Sequence, residues 1–143
     1  MAHFKQNSVI LLSLLILISG CKSIKSNSGV ISQSQSDWLT NEMPVVKNET
    51  DEAKMYGDQA DDLVRQAARS GLIKRIDVPS RTVYVDGSLW TYASSTDPAT
   101  HSSVQGSLVN YILRRIKEDR FEIKIVDASS GEVLRSGNVG KRQ

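Results

Sequence analysis

Apolar and polar positions divide the 143-residue chain into zones of different period. Val9 to Ile18 is an apolar run interrupted only by Ser13, and it is followed by small residues up to Cys21. Lys22 to about Asn48 is rich in Ser, Asn and Gln, with two apolar islands, Trp38-Leu39 and Met43-Pro44-Val45-Val46. From Ala53 the apolar spacing becomes three and four, through Tyr56, Ala60, Leu63, Val64 and Ala67, which puts these residues on one helical stripe. Asn48 reads as the cap of that helix, with Asp51 three residues on and acidic groups near its positive end. Gly71 marks its end. Gly57 inside it costs up to about 1 kcal/mol relative to alanine, so the first turns are expected to fray.

At Leu72 the period changes to two. Leu72 to Val78 and Thr82 to Asp86 flank Pro79-Ser80-Arg81 and predict a hairpin, with Val83 and Val85 on one face and Thr82 and Tyr84 on the other. Ser88 to Tyr92 fits a short turn of helix carrying Trp90. Asp97-Pro98 is a cap followed by proline at the first helical position. Val104, Leu108, Tyr111, Ile112 and Ile116 then form a second stripe that ends in Arg114, Arg115 and Lys117, where cations suit the helix dipole and a solvated face is expected. Phe121, Ile123 and Ile125 alternate with Glu122 and Lys124, and Asp127 to Gly131 turns the chain into Glu132-Val133-Leu134-Arg135. The expected fold class is α+β: a single small domain in the order αββαββ, with two helices on one face of a mainly antiparallel sheet. Its span is 49–137, with a basic tail at 138–143.

A shift of fifty residues aligns the two halves: Ile73-Lys74 falls on Ile123-Lys124, Asp77 on Asp127, Val83 on Val133, Gly87 on Gly137, Leu63 on Leu113 and Arg65 on Arg115. Duplication and convergence of two similar hairpins both account for this match.

The apolar run at the start is too short to cross a bilayer, which takes about 20 residues. With Lys5 before it and small residues after it, it fits an export signal, residues 1–20, that is removed. Ile18-Ser19-Gly20-Cys21 resembles the lipobox of bacterial lipoproteins. That resemblance implies a diacylglycerol on the Cys21 thiol, cleavage just before Cys21, and acylation (palmitate or similar) of the new amine. Two or three acyl chains hold a protein stably on a membrane, whereas one does so only marginally. Residues 21–48 are then an acylated cysteine and a flexible polar tether, spanning roughly 30 Å as a coil. Trp38 and Leu39 either pack back on the domain or form a short partner-binding segment. Lys22-Ser23 lacks the aspartate that retains enterobacterial lipoproteins at the inner membrane, so the resemblance favours the outer membrane, facing the periplasm.

Composition narrows the chemistry. Removal of residues 1–20 takes away one lysine and no acid, leaving 17 basic groups against 16 acidic ones. So balanced a chain has no general attraction for nucleic acid. Cys21 is the sole cysteine, so acylation leaves no thiol for a disulfide or a thiolate metal site. After cleavage His101 is the one histidine, so no zinc cluster or cofactor is expected; in a Ser/Thr-rich helix start it reads as exposed. Asp58, Asp61 and Asp62 read as a solvated acidic face. Neither a nucleophile elbow nor a phosphate loop is present.

Gly131-Glu132-Val133-Leu134-Arg135-Ser136-Gly137-Asn138-Val139 is similar to the second hairpin strand of envelope BON domains, small αββαβ modules of periplasmic lipoproteins. The likeness covers one hairpin and the helix before it, and this chain has one strand more. It implies binding of phospholipid or a protein partner, without catalysis. The leading expectation is therefore a non-enzymatic accessory of an envelope complex, of the kind found in secretion, conjugation or surface exclusion. The alternative is a module for cell-wall glycan or lipid, using Tyr84, Trp90 and Tyr92 as exposed aromatics.

Overall fold

The computed structural model describes residues 38–140. The export signal, the lipobox and Cys21, the first part of the tether and residues 141–143 lie outside the described residues. The elements are α1 (Asp51–Arg69), β1 (Ile73–Asp77), β2 (Thr82–Val85), α2 (Gly87–Thr96), α3 (Pro98–Leu113), β3 (Phe121–Asp127) and β4 (Val133–Val139). The four strands form one sheet in the order β1-β2-β3-β4. β1 pairs with β2 antiparallel, β2 with β3 parallel and β3 with β4 antiparallel, so the domain is α+β with a mainly antiparallel sheet.

The parallel central pair follows from the connection between its strands. A two-residue turn joins antiparallel neighbours, but parallel neighbours need a crossover of a dozen or more residues. The stretch from Asp86 to Arg120 supplies it, and it holds two helices where one short turn and one helix are expected from the sequence. Asp86 caps α2 by accepting from the Leu89 N–H at 3.0 Å, and Asp97 caps α3 by accepting from the Thr100 N–H at 3.2 Å. α2 thereby runs for ten residues, with Trp90 as its buried residue.

One face of the sheet is covered. Ile73 and Ile76, Val83 and Val85, and Phe121, Ile123 and Ile125 are buried, while the other strand positions of β1 to β3, Val126 excepted, are half-buried or exposed. The α3 stripe reaches this face as expected, with Val104, Leu108, Tyr111, Ile112 and Ile116 all buried. Each such side chain removed from water contributes about 1.5–3 kcal/mol, which is how a domain without a disulfide holds together.

Three expectations are corrected. Thr50, not Asn48, caps α1, its hydroxyl accepting from the Ala53 N–H at 3.2 Å. The stripe on α1 is displaced at its start: Tyr56 is exposed, and Gly57, Asp61, Val64 and Ala68 face inward instead. β4 runs on to Val139, which pairs with Phe121, so Asn138 and Val139 belong to the sheet and not to a tail. The two halves share the order helix, strand, strand without a common rigid arrangement. β1 and β3 run in opposite directions, so a rotation carrying one hairpin onto the other would put α1 and α3 on opposite faces.

Candidate interaction surface

Residues 38–48, assigned to the tether from composition, are a strap laid against the helices. Trp38 packs edge-on against Tyr111, with ring centroids 6.4 Å apart, and Leu39 joins it at the core margin. Glu42 pairs with Arg65 at 2.9 Å, and the Val46 N–H donates to the Arg114 carbonyl at 2.9 Å. Lys47 reaches Asp119 at 2.7 Å and the Lys117 carbonyl at 2.8 Å. Met43, Val45 and Val46 of the second island point outward and stay exposed.

Beneath the strap lies a buried ionic network that overturns two expectations at once. Arg114 and Arg115 are not a solvated basic face, nor is Asp61 part of a solvated acidic one; all three are almost wholly buried. Asp61 Oδ2 accepts from Arg114 Nη1 and from Arg115 Nη2, each at 2.8 Å. Glu49 holds Arg114 Nε at 2.7 Å and Nη2 at 2.9 Å, and Asp58 adds a bond to Nη2 at 3.0 Å. Arg115 also donates to the Met43 and Tyr111 carbonyls, and its guanidinium lies 3.6 Å above the Tyr111 ring. Every nitrogen of the two guanidiniums meets an acceptor, as a buried guanidinium needs. The Arg114 hydrogen bonds hold the Glu49 carboxyl below its ordinary pKa, while the Glu49 bond raises the Arg114 pKa. Burial raises the Tyr111 hydroxyl pKa.

Gly57 makes the network possible. A β-carbon placed on it would stand 2.5 Å from Arg114 Cζ and 2.6 Å from Nε. The guanidinium occupies the room that a side chain would take. The glycine therefore belongs to a packed helix and is no source of fraying.

The five aromatic and apolar candidates do not converge. Trp90 is buried, 5 % exposed, with its ring 4.4 Å from that of His101, so it is withdrawn from any binding platform. His101 is likewise buried rather than exposed, and burial, with the Arg135 charge second, lowers its pKa. Tyr84 lies on the uncovered face of the sheet with the Arg75 guanidinium 4.7 Å from its ring centre. Tyr92 projects from α2 and is half exposed. Trp38 and Leu39 serve the strap.

A different surface is left open at the β4 edge. Between α3 and β4 runs a groove of about 270 Å³, floored by Val109, Ile123, Ile125 and Val139 and flanked by Gln105, Arg135 and Asn138. β4 itself is exposed over most of its length and has a neighbour on one side only. No local pattern in the sequence marks this groove, because it arises where a helix and an edge strand diverge. Its one signal is a pair of glycines, Gly106 and Gly137, in stretches that otherwise read as helix and strand.

Among the described residues no helix is long and apolar enough to cross a membrane. The comparisons with protein-family models, with curated proteins and with solved structures match nothing to this chain.

Proposed function

We propose that this chain is a lipid-anchored, non-enzymatic adaptor of an envelope assembly, held by Cys21 and facing the periplasm from the outer membrane. The observation that supports the reading is that Trp38, the described residue nearest to Cys21 in the chain, and the open groove lie at opposite edges of the sheet. Trp38 stands beside Arg75, Ile76 and Asp77 of β1. β4, with its open groove, lies at the other end of the sheet. An anchored module arranged this way keeps its β4 edge away from its own attachment. The burial of Trp90 takes one of the three aromatics from the alternative, cell-wall reading and leaves it Tyr84 and Tyr92.

The test compares wild-type and Cys21→Ser proteins in cells, by membrane fractionation and by native gel electrophoresis of envelope extracts. The wild type is expected in the membrane fraction and in an assembly much larger than 15.8 kDa. The Cys21→Ser protein should leave the membrane while its purified domain melts at the same temperature. A wild-type protein that runs as a free monomer, or a Cys21→Ser protein with full cellular function, would overturn the reading.

A further inference from the structure

We infer that the groove between α3 and β4 receives an extended, acidic segment of a protein partner, which joins the sheet as a fifth strand beside β4. The inference rests on the adaptor reading and names the surface such an adaptor would use.

The first argument is the pair of glycines. Gly106 lies inside α3, where glycine costs about 1 kcal/mol relative to alanine, and Gly137 lies inside β4, where it weakens the strand. The backbone demands neither, for the glycines with positive φ are Gly71 and Gly131. Neither is forced by crowding, since a β-carbon on either would meet nothing within 4 Å. What both supply is room over one and the same groove. Glycine in a strand without a bulge or a bend marks a place where another backbone comes close.

The second argument is charge. Arg135 projects to the groove side of β4, where its Nη1 donates to Gln105 Oε1 at 3.0 Å. Among the described residues it pairs with no carboxylate. Gln105 Nε2 is buried and has no hydrogen-bond partner. Two donors, one cationic and one neutral, thus stand together at the wall of an apolar groove and call for a carboxylate. A segment with alternating apolar side chains fits the remainder, because every second residue of an added strand would enter the groove over Gly137. β4 has seven residues, or about 23 Å, enough to pair with a segment of similar length.

The probe is a phage-displayed library of random twelve-residue peptides, panned on the full-length protein in detergent. Peptides enriched on the wild type are expected to carry an aspartate or glutamate within an alternating apolar pattern. Their affinity should fall about tenfold in Arg135→Gln, as loss of one charge-assisted hydrogen bond predicts. It should fall as far in Gly137→Val and Gly106→Leu, which fill the groove, while the melting temperatures of these two match or exceed that of the wild type. No enrichment, or enriched peptides that bind Gly137→Val as tightly as wild type, overturns the inference. So does a dimer in sedimentation that Gly137→Val dissociates, since the occupant is then a second copy. Groove variants that still enter the large envelope assembly sink this inference alone, whereas a wild type that enters no assembly sinks the adaptor reading beneath it.

Discussion

Gly57 and Arg114 share one volume: where any other residue would put its β-carbon, the Arg114 guanidinium carbon sits 2.5 Å away. In an exposed helix Gly→Ala is stabilising by up to about 1 kcal/mol. Here the sign reverses, because Arg114 cannot step aside without leaving Glu49, Asp58 and Asp61 at once. Gly57→Ala is expected to lose about 1–3 kcal/mol, the usual cost of overpacking a fixed site. Urea unfolding measures this, and an unchanged or higher midpoint would show that the guanidinium has somewhere else to go.

The two classes of ion pair should separate cleanly. Asp61 is shared by two buried guanidiniums, so Asp61→Ala leaves Arg114 with Glu49 and Asp58 and leaves Arg115 in the interior with only the Met43 and Tyr111 carbonyls, a loss of about 3–5 kcal/mol. Lys54 and Asp58 form an i,i+4 pair in solvent at 2.8 Å. Lys54→Ala should leave the unfolding midpoint close to that of the wild type, because a pair in solvent contributes little. Equal losses in chemical denaturation would refute the distinction.

Acid should act through Asp127. Hydrogen bonds from Ser130 and Ser129, with the Gly87 N–H, lower its pKa from 3.8 to about 2. A carboxylate depressed in the folded state stabilises fully above its unfolded pKa and loses that contribution as pH falls through the folded value. The window is therefore about pH 4 to 2, and Asp127→Asn should flatten the stability curve there. His101 acts in the same direction at milder acidity, since its pKa lies below 6.5 in the fold and the unfolded chain takes up the proton first. His101→Phe should remove the slope just below pH 6.5; persistence of either slope in its variant would point to other groups.

Trp38 is the pin of the strap. Its half-buried ring meets Tyr111, so Trp38→Ala is expected to cost about 2 kcal/mol, below the 3–5 of a core tryptophan. Limited proteolysis should then cut within 38–48 well before the rest of the domain. Simultaneous cleavage of strap and helices would mean that the strap does not open on its own.

Periodicity carried much of this fold. The period-two runs at Ile73–Asp77, Thr82–Val85 and Phe121–Asp127 are strands, and the α3 stripe from Val104 to Ile112 faces the core. What stayed hidden depended on partners far away in the chain. Arg114 and Arg115 read as a solvated helix end because nothing local reveals that Glu49 and Asp61, more than fifty residues earlier, arrive beside them. The start of the α1 stripe was misplaced for the same reason: Asp61 and Gly57 face inward to meet those arginines, and Tyr56 is turned out. The parallel pairing of β2 and β3 was open to inference, since two helices between two strands are the mark of a crossover. The groove was not, because it is the gap between elements and has no residues of its own beyond Gly106 and Gly137.

Docking of the strap also bears on the reach of the proposed anchor at Cys21. Had all of residues 22–48 stayed loose, the line from an acylated Cys21 could be drawn out to about 95 Å. If Cys21 is acylated as proposed, the sixteen residues between it and Trp38 bound the reach at about 55 Å of contour. Under that proposal a partner in the same membrane would meet this domain within a thin layer, where tethering would make its effective concentration far higher than in free solution. An interface too weak to hold two dissolved proteins together would suffice inside that layer.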